Sequence, residues 1–363
     1  MKVLFLEPFF GGSHKDFALG FKAHSRHDVD LVTMPARFWK WRMRGAAVHF
    51  LSAIKDMASY DVVFATDLMD LTDFKGMGRK PVPPVLFYFH ENQLAYPLSP
   101  GEKRDFHMGF TNIVSAYAAD KVLFNSRFHL NTFMDEAGRL LSRLPDYRPS
   151  GLIESIREKS AVAYPGCRFD TGKVDMEGKQ ADPPIILWNH RWEHDKNPDD
   201  FFSALDALEN EGVSFELAVL GENFNTWPPV FERAREKFKG RIRVFGYAEN
   251  RRTYLSWLQK SAIIVSCARQ ENFGISAVEA IRHGCIPLLP DRLSYPELIP
   301  LKHHRSVLYR TKKDLVEKLK KWLTDPDGCR RLRRELSIEM EGFAWRIRVK
   351  HYDKALKNIE KTS

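Results

Sequence analysis

Ile263-Ile264-Val265-Ser266, followed after a short loop by Glu271-Asn272-Phe273-Gly274-Ile275-Ser276-Ala277-Val278-Glu279-Ala280, is the stretch on which the reading of this chain turns. The β-branched run has the length of a buried strand, and Ile275, Ala277, Val278 and Ile281 supply the core face of a helix predicted over Ile275–Arg282. Gly274 stands between the two, where it allows close backbone approach, and the free N–H groups of the helix start face an anion. Glu271 in the loop and Glu279 in the helix bracket seven residues. Carboxylates do not favour phosphate; they accept hydrogen bonds from sugar and ribose hydroxyls while amides and cations meet the phosphate. A strand, a loop of this content and a helix together predict an open parallel sheet that binds a ligand beyond its carboxyl edge.

Upstream, a strand predicted over Ile185–Asn189 runs into Trp188-Asn189-His190-Arg191-Trp192-Glu193-His194-Asp195-Lys196, just before a helix over Asp199–Leu208. Pro198 marks that helix's start and Gly212 its end. Arg191 as a bidentate fork and Lys196 as a point charge suit one diphosphate; the alternative is a solvated loop with incidental charges. Strands over Phe215–Leu220, Ile242–Phe245 and Ile286–Leu289 and helices over Pro229–Phe238 and Arg251–Gln259 complete the alternation. Gly246-Tyr247 closes one of these strands and is the neighbourhood expected for a nucleotide base.

The first half repeats the grammar, with strands over Val3–Glu7, Val29–Thr33, Val62–Ala65, Val85–His90, Lys121–Asn125 and Ala161–Tyr164 and helices over Phe106–Ala119 and Ser126–Leu141. At 363 residues the chain is long for one core. The fold expected is α/β: two Rossmann-like doubly wound domains facing a cleft, residues 1–168 and 185–340, joined by a linker over 169–184. The tail from Lys312 to Lys361 reads as two or three charged helices broken near Asp325-Pro326 and Gly342, the last (341–363) packing back toward the N-terminal domain.

Three features of the first half carry chemistry. Gly11-Gly12-Ser13-His14-Lys15 follows the first strand, where paired glycines let amides approach a phosphate or sugar. His90-Glu91-Asn92-Gln93 crowds four polar side chains at a strand end, although a buried histidine satisfied by a carbonyl is the common alternative for His90. Arg37-Phe38-Trp39-Lys40-Trp41-Arg42-Met43-Arg44 interleaves four cations with three aromatics. Aromatics stack on unpaired bases and cations meet phosphates, as a looped RNA requires; the alternative is an amphipathic helix start with Phe38 and Trp41 buried. Arg139, Arg143, Arg148 and Arg157 add a further basic cluster.

The net charge of +9 asks for an anionic partner. With 44% hydrophobic and 28% charged residues the chain reads as globular. Four scattered cysteines imply buried thiols in a reducing compartment, and neither a signal peptide nor an apolar run of spanning length is read, so a cytoplasmic protein without stable membrane insertion is expected.

In this order and spacing, Glu271-x₇-Glu279, Arg191-Trp192-x₃-Lys196 and Val244-Phe245-Gly246-Tyr247 resemble the retaining glycosyltransferases of family four, which have the GT-B fold. The resemblance implies that Glu271 contacts the donor sugar, Glu279 the ribose hydroxyls, and Arg191 and Lys196 the diphosphate. Gly11, Gly12, Gly246, Tyr247, Asn272, Phe273 and Gly274 complete the expected donor site. A histidine at the place of His90 lies near the donor sugar in the family, which makes Glu271, His90, Arg191 and Lys196 the expected catalytic set, with no metal ion and no cofactor.

Glu7-Pro8-Phe9-Phe10-Gly11-Gly12-Ser13-His14-Lys15, Trp39-Lys40-Trp41-Arg42, Tyr88-Phe89-His90-Glu91-Asn92-Gln93-Leu94, Asn189-His190-Arg191-Trp192-Glu193-His194-Asp195-Lys196 and Tyr295-Pro296-Glu297 together resemble the tRNA-queuosine α-mannosyltransferases. That resemblance implies GDP-mannose as donor and, as acceptor, a hydroxyl on the cyclopentene ring of queuosine at the wobble position of tRNA-Asp. The anticodon loop is then expected on His14, Lys15, Arg37, Trp39, Lys40, Trp41, Arg42, Arg44, Glu91, Asn92 and Gln93. Two rivals remain: a family-four-type enzyme with a lipid or small-molecule acceptor at an anionic membrane surface, and an RNA-binding module on an inactive transferase fold.

Overall fold

Strands such as Val85–Phe89 and Ile185–Asn189 are buried at every position, so the sheets they build must be covered on both faces. The computed structural model describes residues 1–78, 80–97, 104–169, 182–222 and 228–360. Most of the expected linker, 170–181, lies outside the described residues. The chain divides into two units, Met1–Arg168 with Phe343–Ser363, and Phe169–Gly342.

The first unit runs β1 (Lys2–Phe10), α1 (Gly12–His24), β2 (Asp28–Pro35), α2 (Trp39–Ala53), β3 (Val62–Thr66) and α3 (Leu71–Met77). It continues with β4 (Val85–Phe89), α4 (Phe106–Ala118), β5 (Lys121–Phe124), α5 (Arg127–Ser142), α6 (Leu152–Glu158) and β6 (Ser160–Val162). Its parallel sheet has the order β2-β1-β3-β4-β5-β6, with Val3 opposite Val62 and Val63 opposite Val85. The order reverses between β1 and β3, and there the carboxyl ends open a crevice. Side chains of α2 to α6 pack on one face, among them Phe50, Phe74, Ile113, Phe133 and Ile156. The other face holds Phe17 and Phe21 of α1 beside the chain's last helix, α15 (Trp345–Glu360), which contributes Trp345, Val349, Tyr352 and Leu356. The Tyr352 hydroxyl donates to the carbonyls of Ala163 and Tyr164, both at 3.0 Å, and fixes that helix to the end of β6.

The second unit runs β7 (Ile185–Asn189), α7 (Pro198–Asn210), β8 (Glu216–Leu220), α8 (Val230–Lys237), β9 (Ile242–Gly246), α9 (Arg251–Lys260) and β10 (Ile263–Val265). There follow α10 (Ile275–Arg282), β11 (Ile286–Pro290), α11 (Tyr295–Leu298), α12 (His304–Val307), β12 (Leu308–Tyr309), α13 (Lys312–Thr324) and α14 (Pro326–Met340). The strand order β12-β11-β10-β7-β8-β9 places its switch point between β7 and β10. Ile186 there stands opposite Ile263. All four cysteines are free and buried. Among the described residues no helix is long and apolar enough to cross a membrane.

Candidate active site

The two stretches quoted for the second half meet at the β7/β10 switch point. The Arg269 amide donates to the Asp195 carbonyl at 2.7 Å, tying the loop after β10 to the loop after β7. Lys196 is buried between them. Its Nζ donates to the Gln270 carbonyl at 2.8 Å and pairs with Asp195 at 3.0 Å and Glu271 at 3.6 Å. Burial alone would lower the pKa of this ammonium, but Glu271 and Asp195 outweigh it and hold the group above its ordinary value, so Lys196 is charged. Arg191 is half exposed and pairs with Glu193 at 3.3 Å. Burial raises the Glu193 carboxyl, with Asp195 adding to the effect and Arg191 opposing it. Two cations and three carboxylates therefore share one loop cluster, with the cations poised for an anion and the carboxylates for hydroxyls.

Gly274 has φ +100°, a left-handed conformation in which a Cβ would also lie 3.2 Å from the Tyr295 ring, so the turn into α10 is glycine's. Ser294 holds the same turn from below, donating to the carbonyls of Glu271 and Phe273. Glu279 on α10 accepts from Arg251 at 3.0 Å and from the Tyr254 hydroxyl at 2.9 Å, while Asn189 donates to that hydroxyl at 2.9 Å. Its carboxylate is thus oriented by side chains of α9 and β7. Tyr247, after Gly246, is exposed. Gly221 ends β8 against the Trp192 loop, and a Cβ there would lie 2.0 Å from the His190 carbonyl. Two expected donor residues also have side-chain roles within the loop. Phe273 points its ring into the core, and Asn272 accepts from the Gln270 amide at 3.0 Å within the loop.

At the β1/β3 switch point of the first unit the structure assembles a cluster that motif reading recognised only in part. Glu7, fully buried on β1, accepts from the Phe9 amide at 2.9 Å, the Thr66 hydroxyl at 3.1 Å and the His14 ring at 3.2 Å, with His90 Nε2 at 3.9 Å. Burial opposes the charged form of His14, but Glu7 overrides it and raises the imidazole to about 9. Asp67, just past β3, accepts from the His90 amide at 2.8 Å and is pushed up to about 8, chiefly by burial, with Glu91 and Glu7 adding to it. His90 is held well below its ordinary value by burial, His14 and His129, and is neutral. Glu7, His14 and His90 bring ligand atoms within 4.8 Å of one another, a spacing that can hold a metal ion. In this structure Glu7's oxygens are engaged by the Phe9 amide, the Thr66 hydroxyl and the His14 ring.

The His14–Glu7 pair makes stability depend on pH. The folded pKa of His14, about 9, stands above the 6.5 of a free imidazole, so its contribution is whole below pH 6.5 and is lost as pH rises through 9. On the order of 3 kcal/mol should disappear across that window. Urea unfolding of wild type and His14→Gln between pH 6 and 10 checks this: the variant should lack that portion of the decline.

Around this edge the remaining expected residues divide. Gly11 sits so close to Ala36 that a Cβ would lie 2.3 Å from that side chain, which brings the segment Arg37–Arg44 beside the Gly11-Gly12 turn. Phe38 and Trp41 face solvent at 72% and 65% exposure, with Arg37, Lys40 and Arg44 also exposed and Trp39 half-buried. The amphipathic alternative, with Phe38 and Trp41 in the core, is not what forms. Phe38 adopts φ 55°, ψ 51° as the residue before α2, and this left-handed start rotates the aromatic pair outward. Arg42 is corrected: it turns inward and its guanidinium donates to the Pro35 carbonyl at 3.1 Å, holding the bend after β2 instead of facing an anion. Asn92 is corrected likewise, since its buried side chain accepts from the Leu94 and Ala95 amides at 3.0 Å and shapes the turn. Glu91 and Gln93 are partly exposed beside it, bonded to each other at 3.1 Å, and Lys15 is exposed.

Glu7, Asp67, Asp195, Tyr254 and Arg251 were absent from the expected set. Each is recognised by partners from other strands and helices. The one local signal was a charged residue ending an apolar strand, at Glu7 and at Asp67.

Residues 2–167 match the model of the family described as tRNA-queuosine alpha-mannosyltransferase N-terminal, and residues 173–337 that of glycosyl transferases group 1. The chain is 35% identical over 342 residues to the tRNA-queuosine alpha-mannosyltransferase of Drosophila melanogaster, covering 91% of this chain and 89% of the fly protein. Sucrose-phosphate synthase from Thermosynechococcus elongatus is similar in fold, with TM-score 0.77 and 14% identity over the whole of both chains. HepE of Anabaena in complex with UDP gives 0.70 at 14% identity, over 99% of this chain and 100% of that one. These two show the fold alone: two doubly wound α/β domains of the GT-B type. With its donor-type loops at one switch point and both halves matched, the chain is a glycosyltransferase and belongs to the tRNA-queuosine α-mannosyltransferase family.

Proposed function

We propose that the enzyme transfers mannose from GDP-mannose, with retention, to a cyclopentene hydroxyl of queuosine at the wobble position of tRNA-Asp, without a metal ion. The observation that carries the donor half is the buried Lys196–Glu271 contact of 3.6 Å, which puts a phosphate-seeking cation and a hydroxyl-seeking carboxylate in reach of one ligand. Family membership and the solvent-facing Phe38 and Trp41 support the acceptor half.

In this reading Arg191 and Lys196 take the diphosphate, Glu271 the mannose hydroxyls and Glu279 the ribose diol. Tyr247 offers a ring to the base. As the bond from the anomeric carbon to the phosphate oxygen breaks, Arg191 and Lys196 absorb the growing negative charge. The acceptor hydroxyl attacks on the face the diphosphate leaves and passes its proton to a phosphate oxygen, giving GDP and an α-mannoside. A neutral His90 can bond a reacting hydroxyl without opposing the positive charge that builds on the sugar.

The test incubates enzyme and GDP-mannose with tRNA from queuosine-containing and queuosine-lacking cells and weighs the nucleosides. A hexose increment on queuosine alone is expected. An equal increment on both pools, or none, rejects the acceptor.

A further inference from the structure

Beside the turn that carries His90 and Glu91 lies a cavity of about 120 Å³ that the reaction does not use. It is lined by Leu94, Arg104, Phe106, Glu136, Arg139 and Arg143, among others. Three guanidinium groups therefore meet one carboxylate. Arg104 spends its hydrogen bonds on the carbonyls of Gln93, Leu94 and Tyr96, which fixes its charge at the wall. Arg139 pairs with Glu136. The exposed Arg143 side chain has no hydrogen bond or ion pair among the described residues. The excess positive charge suits an anion.

Exposed aromatics continue the patch. Phe106, Phe110 and Tyr117 are 50%, 40% and 51% exposed. At one hundred degrees per residue they fall on a single stripe of α4, about 16 Å long from first to last. Lys159 lies over the Tyr117 ring at 5.3 Å. The stripe thus carries cations near both ends, whereas a face made for another protein's core would be depleted in charge. Cations that meet phosphates beside rings that accept bases form the surface single-stranded RNA recognises. The patch is continuous with the acceptor edge: Leu94 both lines the cavity and packs on Gly109 of α4, where a Cβ would lie 2.8 Å from it. In the sheet order, Phe38 and Trp41 follow β2 at one end, while α4 and α5 flank β5 toward the other.

We infer that the Arg139–Arg143 cavity and the Phe106–Phe110 stripe form a second RNA contact, which receives a backbone phosphate and a neighbouring base of the strand that flanks the modified nucleotide. The inference rests on the proposed tRNA acceptor and adds to it a two-sided grip on the loop, with Phe38 and Trp41 on one flank and α4 with α5 on the other.

Wild type, Arg139→Glu/Arg143→Glu, Phe110→Ala and Trp41→Ala are compared by filter binding of queuosine-containing tRNA across a potassium chloride series. Release of GDP from GDP-mannose without RNA is followed in parallel. The charge reversal should weaken binding at least tenfold and lower the slope of log affinity against log salt by about one, the value for one lost phosphate contact. Phe110→Ala should weaken binding roughly fivefold or more with the slope unchanged. GDP release should stay at the wild-type rate and the calorimetric unfolding of the first unit should be unshifted in both variants, which together show that they are folded. An unaltered affinity and slope in the charge reversal, while Trp41→Ala binds more weakly, overturns this inference and leaves the proposed function standing. A wild-type dimer that dissociates on charge reversal with RNA affinity intact assigns the face to a second copy of this chain and also overturns it. Failure of wild type to mannosylate the tRNA counts against the proposed function, while the salt slopes still decide this one.

Discussion

Lys196→Ala should lower kcat by about 10²–10³-fold, with a smaller change in the KM for the donor. On the proposed function the reason is differential: the ammonium would meet the diphosphate in the ground state, and the charge it faces would grow as the sugar leaves. Lys196 is fit for this because Glu271 at 3.6 Å and Asp195 at 3.0 Å keep it protonated in a buried place. The same pairing makes the substitution costly for folding, since both carboxylates lose their buried counter-charge, an effect of about 3–5 kcal/mol. Asp195→Asn/Lys196→Ala separates the two consequences: it should regain part of the lost stability and none of the turnover. Steady-state kinetics beside urea unfolding reads both. A stable Lys196→Ala enzyme with wild-type kcat would remove Lys196 from the leaving-group role.

Trp345→Ala should destabilise the first unit by about 3–5 kcal/mol, the usual cost of deleting a buried large aromatic. Trp345 is 3% exposed, and its indole fills a slot that two distant glycines keep open. A Cβ on Gly20 would lie 2.1 Å from its Nε1, and one on Gly166 2.1 Å from its Cδ2. Phe17 lies 5.3 Å from the ring and Tyr352 6.0 Å. Gly166→Ala attacks the slot from the opposite side and should also destabilise the unit severely, since a rigid indole cannot withdraw from a new methyl. Below the transition temperature GDP binding should be retained in both variants, because Arg191, Lys196, Glu271 and Glu279, which the proposed function assigns to the donor, belong to the second unit. Calorimetric unfolding with GDP titration measures both outcomes. An unchanged transition in Trp345→Ala would show that α15 is not needed for that core.

Strand-helix alternation was legible because it is local. Each strand expected from a β-branched or aromatic run is present, with ends displaced by up to three residues, as at Lys2–Phe10 and Ser160–Val162. The missed strand, Leu308–Tyr309, is too short to carry a periodicity; it pairs with Leu289 and Pro290 because the sheet edge is there to receive it. The residues expected to hold the donor were nameable for a related reason: Arg191, Lys196 and Glu271 lie in strand-to-helix loops and Glu279 on the helix that follows, and the strand order brings the two loops together.

Alternation and turn chemistry by themselves determined two doubly wound sheets and the loops at their carboxyl edges, because these follow from the periodicity of buried side chains and from the residue types at strand ends. Only the tertiary structure decided which groups are used and which are consumed by the fold. Arg42 and Asn92 bond their own backbone neighbourhood, whereas Phe38 and Trp41 are turned to solvent. Glu7 fixes the charge of His14, and Trp345 reaches back to Gly20. A side chain's orientation, proton and partner depend on what lies within a few ångströms, and those neighbours come from strands and helices far apart along the chain.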